Sequence, residues 1–213
     1  MKNKIIDLSE IESMDRIYRI NLINSVTGFK SANLIGTQNE YGLSNLAIFS
    51  SVIHLGSNPP LLGFISRPAV IPRHTYSNIK HSGYYTINHV HTDIVERSHK
   101  TSAKFYDTIS EFDECNFTPE FSDKISAPYV QEANIKLGMK FIDEYEIKEN
   151  GTILIIGKIE EIILNEAVLK DDGFVDLQEA GTVTISGLDS YHSTDKIHRF
   201  GYARPFAEIL KKW

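Results

Sequence analysis

Two long apolar runs, residues 137–148 and 151–165, meet at Glu149-Asn150-Gly151. Asn-Gly between apolar runs is the strongest short hairpin signal, because the tight turn needs positive φ at both central residues. A chain with hairpin arms this long has committed much of itself to antiparallel sheet. The remaining strand signals fit around that hairpin. Residues 31–37 and 45–54 flank a turn cluster, Gln38-Asn39-Glu40-Tyr41-Gly42, and read as a second hairpin. Residues 60–66 form an apolar strand behind the breaker Ser57-Asn58-Pro59-Pro60, and residues 84–90 form another. A last strand falls at 182–186. Helices are few and short. Thr75 caps one that ends near Gly83. Asp93 with Glu96 starts another over about 94–104. Residues 1–20 are a polar lead-in arm with a short helix from Ser9, and 105–135 are rich in loops. Many strands joined by short turns favour a closed or nearly closed antiparallel barrel.

Composition narrows the class. The 213 residues read as a single domain, 1–213, with no linker or repeat. Lys and Arg number 22 against 28 Asp and Glu, a net charge of −6, which argues against nucleic acid and against a polybasic membrane anchor. No apolar h-region follows the N-terminal basic residues, and no window approaches the ~18 apolar residues of a membrane span. One cysteine excludes a disulfide framework. The expectation is a soluble protein of a reducing, cytoplasmic compartment.

The charges are unevenly placed. No Asp or Glu occurs from Tyr41 through Thr92, whereas an even spread of the 28 acids would put about 7 there. The same window holds Arg67, Arg73 and Lys80, with Ser44, Asn45, Ser50, Ser51, Ser66, Thr75, Ser77 and Asn78. Arginines, small hydroxyl and amide groups and a helix N-terminus are what an anion such as phosphate needs. The competing reading is a buried half of the barrel, where acids are rare anyway. His89 and His91 share a strand face, but no third ligand is fixed, so they read as surface or interface histidines and no metal is expected. Cys115 reads as part of a polar loop beside Asp113 and Glu114, whose negative charge raises a thiol pKa, so no nucleophilic role is expected. Glu160 and Glu161 point to opposite faces of a strand as solvated or edge-protecting charges. No dinucleotide fingerprint, phosphate-binding Walker loop or serine nucleophile elbow is present.

From about residue 20 to 206 the order of motifs resembles the flavin reductase-like, FMN-binding split-barrel family. Gly42-Leu-Ser-Asn-Leu-Ala-Ile-Phe-Ser-Ser51 is similar to the family's turn-and-strand along the flavin, and Asn58-Pro-Pro-Leu-Leu-Gly-Phe-Ile-Ser66 to its double-proline strand. His74-Thr-Tyr-Ser-Asn-Ile79 resembles its D-T-x-x-N-I segment, and Gly83-Tyr-Tyr-Thr-Ile-Asn88 its later strand ending in Asn. Ile109-Ser-Glu-Phe112 and Ala127-Pro-Tyr-Val-Gln-Glu132 look like its loop and partner-facing segment. Gly187-Leu-Asp-Ser-Tyr191 and Tyr202-Ala-Arg-Pro205 look like its C-terminal segment.

The resemblance implies a mainly β fold, a six-stranded antiparallel split β-barrel with short flanking helices, working as a homodimer. FMN, rather than FAD, would lie near the subunit interface, where the segment 187–213 also falls. By position, the backbone at Asn45, Leu46 and Ala47 would face the isoalloxazine ring. Ser50 and Ser51 would bond the ribityl or phosphate end. Ser66, Arg67, Arg73, His74, Thr75 and Asn78 would take the phosphate. No catalytic residue is assigned, because the chemistry sits on the cofactor. Tyr191 and His192 are offered for the nicotinamide side, against the commoner reading of Tyr as a core or interface residue.

Two departures matter. Where many NAD(P)H-using members carry Gly-Asp-His, this chain reads Gly157-Lys158-Ile159, and His74 stands where the family has Asp. The implied activity is an FMN-dependent oxidoreductase with NAD(P)H as co-substrate. Its rivals are an FMN electron carrier without its own NAD(P)H site, and a split barrel that has lost its flavin.

Overall fold

The hairpin forms where Asn150-Gly151 predicts it, but its loop is the four residues 148–151, and of the pair only Gly151 has positive φ. Gly151 has φ 69°, and its amide donates to the Ile147 carbonyl at 2.8 Å. The arms of this hairpin are thirteen residues each, and they form the spine of a computed structural model that describes residues 2–68 and 73–203. The N-terminal half comprises α1 (Leu8–Ser13), α2 (Arg16–Val26), β1 (Lys30–Ser31), β2 (Asn33–Gln38), β3 (Ser44–Phe49), β4 (Ile53–Ser57), β5 (Pro60–Ser66), α3 (His74–Ser82) and β6 (Tyr84–His89). Then follow α4 (Val95–Lys100), α5 (Glu111–Glu114), β7 (Pro119–Glu120), β8 (Tyr129–Val130), β9 (Ile135–Ile147), β10 (Thr152–Leu164), β11 (Thr184–Ser186) and β12 (Ser190–His192).

The main sheet has seven antiparallel strands in the order β3-β2-β6-β9-β10-β5-β4. The resemblance led us to expect six, in a barrel. The extra strand arises because the expected single strand 45–54 breaks at residues 50–52. β3 stays with β2, and Ile53–Ser57 folds back on β5 instead. The ladder is therefore open, with β3 and β4 as its edges. Only three residues separate those edges in the chain, so they lie within about 14 Å of each other. Within the break, the Ser51 hydroxyl is held by β5. It accepts from the Ile65 amide at 3.0 Å and donates to the Ile65 carbonyl at 3.3 Å.

Alternation along the strands sorts side chains into two cores. Ile35, Phe64, Ile79, Tyr85, Ile87, Met139 and Ile155 fill one face of the sheet, under α3. Leu34, Leu46, Val90, Ile94, Phe112, Cys115 and Val130 fill the other, under α4 and α5. β2 feeds both, which is why its first five residues are all buried. Gly157 is needed for packing, since a Cβ there would collide with the Tyr85 hydroxyl. Tyr85 is fully buried, and burial pushes its pKa up.

Other expectations need correction. The N-terminal arm is mostly helical, because Asp7 and Asp15 cap α1 and α2 through their side chains, yet neither helix buries a residue. The helix expected over 94–104 is shorter, ending at Lys100, and the His91 side chain rather than Asp93 caps the turn before it. His91 is buried: its Nε2 lies 2.9 Å from the Glu132 carbonyl, while Nδ1 accepts from the Asp93 amide at 3.4 Å. His89 sits on a central strand with its Nδ1 buried and unpartnered, and burial pushes its pKa down to about 4. His91 is therefore not a surface histidine, while His89 is half-buried with its Nδ1 enclosed. Cys115 is in the core rather than a polar loop, and burial, then Glu111 and Glu114, push its thiol up against the opposing Lys100. Glu161 is not merely solvated, for it accepts the Tyr129 hydroxyl at 3.0 Å. Glu160 pairs with Lys158 at 3.0 Å. No helix among the described residues is long and apolar enough to cross a membrane. The Arg204-Pro205 end of the C-terminal segment lies outside the described residues.

Candidate functional site

The β2–β3 register sets Thr37 directly opposite Asn45, so both side chains stand on one sheet face. α3 lies across that face and lowers Thr75, Asn78 and Ile79 onto it, three and four residues apart on one helix stripe. The Thr37 hydroxyl oxygen accepts from Asn45 Nδ2 at 3.2 Å and from Asn78 Nδ2 at 3.0 Å. Asn45 Nδ2 also reaches the Thr75 hydroxyl at 3.2 Å. All four side chains are buried. A buried neutral knot with its bonds made fixes the helix on the strands.

Thr75 is expected as the cap of α3, but it lies inside the first turn, and its hydroxyl receives the Asn45 amide instead. Arg73 occupies the cap position and makes no side-chain cap bond. The amide donors of the first helical turn have no partner within a helix, so this end keeps its partial positive charge. Arg73 is half-buried and turns its Nε back to the Pro68 carbonyl at 3.4 Å. That contact brings it beside Arg67, which is exposed, and Ser66, which is buried with its hydroxyl on the Arg67 carbonyl at 3.3 Å. Neither arginine has a carboxylate partner among the described residues.

Asn45, Thr75 and Asn78 thus meet in the knot, and Ser66, Arg67, Arg73 and His74 gather at the uncapped helix end. The rest divide differently. The Leu46 side chain is fully buried in the core under α5, and its amide is taken by Glu111 Oε2 at 3.0 Å. The Ser51 hydroxyl is committed to Ile65. Ala47 and Ser50 are half-buried. Tyr191 packs against the core and places its hydroxyl 3.0 Å from His99 Nδ1, and burial pushes its pKa up to about 12. His192 stacks edge-on with Phe29 and lies 2.9 Å from the Ser186 hydroxyl.

Two participants escape a reading of the sequence. Thr37 could be found from the hairpin register, since it mirrors Asn45 across the turn. Glu111 could not, because 65 residues separate it from Leu46. It is buried on the four-residue helix α5, so the acid-free window receives a carboxylate from outside. Burial raises its pKa, while the amides of Leu46 and Glu111 and the nearby His74 oppose that shift.

An antiparallel sheet thus carries, at an uncapped helix end, two arginines with no carboxylate partner among the described residues, a donor set whose chemistry suits an anion. The comparisons name its kind: residues 28–186 match the flavin reductase like domain, and the chain belongs to that family. A split-barrel candidate flavin reductase of Shewanella frigidimarina NCIMB 400 is 45% identical, with TM-score 0.91 over 94% of this chain and all of that one. Nitrilotriacetate monooxygenase component B of Bacillus cereus is 19% identical and shares the fold, with TM-score 0.81 over 93% of this chain and all of that one. Flavoredoxin of Desulfovibrio vulgaris (Miyazaki F) is 22% identical, with TM-score 0.70 over 84% of this chain and 92% of that one.

Proposed function

We propose that the chain binds FMN and works as a flavin reductase-like oxidoreductase, taking electrons from NAD(P)H and passing them to flavin or another acceptor. The observation that carries this reading is the pair Arg67 and Arg73, without carboxylate partners, beside the uncapped N-terminus of α3. A phosphate dianion fits that chemistry: a guanidinium fork binds two oxygens, and the helix amides bind a third. A single compact anion site suits the monophosphate of FMN better than the diphosphate of FAD. Asn45, Thr75 and Asn78, locked with Thr37, hold α3 and β3 in register so that the phosphate and ring contacts keep a fixed spacing. When bound, the isoalloxazine ring supplies the electron transfer. The residues of the chain orient that ring and neutralise the phosphate.

Replacing either arginine, Arg67→Ala or Arg73→Ala, should weaken FMN binding by ~10- to 150-fold, the loss of one charged hydrogen bond. Riboflavin, without a phosphate, should bind both variants as it binds the native protein. FMN titrations unchanged in both variants would sink the assignment.

One observation favours a second reading, an FMN electron carrier. At Gly157-Lys158-Ile159 the chain has a surface ion pair, Lys158 with Glu160, where NAD(P)H-using relatives carry an acid and a histidine. Anaerobic addition of NADH or NADPH to FMN-loaded protein separates the two. Bleaching of the visible band supports the reductase, and a band that persists with both supports the carrier.

We also propose a homodimer. Its support is the N-terminal surface, where Ile5, Leu8, Ile17, Tyr18, Val26 and Phe29 are all exposed while α1 and α2 bury nothing. Light scattering should give twice the chain mass, and a monomer at micromolar concentration contradicts it.

A further inference from the structure

Alternation along β5 and β10 leaves one set of apolar side chains outside every core. Phe64 and Ile155 enter the core under α3, so Ile65, Leu154 and Ile156 stand on the opposite face of the sheet. The register lays two rungs across β5, β10 and β9 on that face, Ile65-Leu154-Tyr145 and Gly63-Ile156-Asp143. Leu55 of β4 joins them, for its Cδ1 and that of Leu154 both lie 3.0 Å from where a Gly63 Cβ would stand. The missing side chain lets the two leucines lie flat, and the four strands share one apolar floor. The next rung, with Lys140 opposite Lys158, ends it. Ile65, Leu154 and Ile156 are half-buried, Leu55 and Tyr145 are exposed, and none belongs to a core.

The same chain carries a second surface without cover. α1 and α2 are six and eleven residues long, and isolated helices shorter than ~12–15 residues are marginal in water. Neither buries a residue. At about 100° per residue, Ile17, Tyr18, Ile23 and Val26 point to several sides of α2, as in a helix packed on more than one face. The root of this arm is pinned elsewhere. Lys30 Nζ holds the Asn24 carbonyl at 2.9 Å and the Gly187 carbonyl at 3.1 Å, and Phe29 packs edge-on against His192. Gly187 and His192 belong to the β11–β12 hairpin, in a sheet separate from the main one. The seven large apolar side chains from Ile5 to Phe29 are 44–88% exposed. Together they offer on the order of 800 Å², as much as one partner of a standard interface buries. Arg16 and Arg19 of α2 and Asp143 of the floor have no ion-pair partner among the described residues.

We propose that α1 and α2 of one copy of this chain lie on the β4-β5-β10-β9 floor of a second copy, whose own arm lies on the floor of the first. This rests on the homodimer reading given above and names the two surfaces that the dimer joins. Each copy gives an arm and receives one, so a two-fold axis covers both kinds of bare surface at once and assembly stops at two. Arg16 and Arg19 then meet the acid on the floor, Asp143. The Ile65 rung adjoins Ser66 and Arg67, so the arriving arm abuts the candidate anion site.

The test replaces Tyr18, which is exposed, by photoreactive p-benzoylphenylalanine in the full chain. Irradiation and peptide mass mapping read what the arm touches. The expected product is a covalent dimer joined within residues 53–65 or 142–158 of the other copy. Attachment to the other copy's arm, attachment within the same chain, or no covalent dimer overturns the proposal. In a second measurement, Tyr18→Asp and Leu154→Asp each place an unpaired charge in the proposed contact. Each should weaken the dimer ~100-fold or more, so that light scattering at micromolar concentration falls from twice the chain mass to once. Tyr18 buries nothing within its own chain, so its variant keeps the fold even where Leu154→Asp does not. A dimer that survives Tyr18→Asp overturns the proposal. Failure of the homodimer reading looks different, since the native protein is then already a monomer.

Discussion

The two ends of β2 are both polar and buried, and they are built to different standards. At the Thr37 end, Asn45, Thr75 and Asn78 exchange hydrogen bonds around one hydroxyl. At the Asn33 end, Asn33 Nδ2 reaches the Ser31 hydroxyl at 2.9 Å and Ser31 reaches the Val52 carbonyl at 3.3 Å, but the network stops there. His89, opposite Asn33, has a buried Nδ1 without a partner, and so does the Thr184 hydroxyl, opposite Ser31. A buried polar group left unpaired costs more than a made bond returns. The completed end is the one that carries the candidate site. Its bonds hold α3, and with it the uncapped helix end, in register on β2 and β3.

The strongest way to break this contrast is Thr37→Val, which keeps the shape and removes the shared acceptor. The buried Asn78 amide then loses its acceptor and the Asn45 amide keeps only Thr75, so stability should fall by roughly 2–4 kcal/mol, ~1–3 for the orphaned amide and about 1 for the second lost bond. A urea melt measures it, and a loss under ~1 kcal/mol would show that the knot does not hold the helix.

A second effect comes from the other end through pH. The unfolded His89 ring takes a proton near 6.5, while the folded ring resists it until about 4. Between those values the unfolded state binds more protons, so stability falls as pH falls. The loss should reach about 3 kcal/mol by pH 4. His89→Leu removes the titration, and the difference between its melts and those of the native protein isolates the ring from other groups. Parallel pH profiles would place His89 in contact with water.

The smallest change should come from Thr184→Val. Its hydroxyl is buried with no partner, so exchanging it for a methyl should leave stability within about 1 kcal/mol or raise it. Comparable losses for Thr37→Val and Thr184→Val would erase the distinction between the two ends.

The sequence made some of this legible and concealed the rest for physical reasons. The long hairpin can be read from Asn150-Gly151 because the turn is decided by two adjacent residues. The break between β3 and β4 cannot, since Ile48-Phe49 and Val52-Ile53 flank two serines with neither glycine nor proline to mark it. Thr75 carries a local cap signal that a distant amide overrides, and its partner Asn45 lies 30 residues away. Arg67 and Arg73 stand out in the sequence because no acid interrupts that window. Glu111 enters the same neighbourhood only through the packing of α5 on β3, which no local pattern announces.

Where β3 ends and β4 begins, the Ser51 hydroxyl stands in for the strand pairing that the sheet leaves undone against Ile65. With Ile53 opposite Gly63, Ser51 falls opposite Ile65, so its hydroxyl carries the β4–β5 register two residues further, where the backbone ladder has stopped. The break in the expected strand is thus tied to β5 by one side chain, and the chain changes strand partners there without leaving the Ile65 backbone groups unpaired.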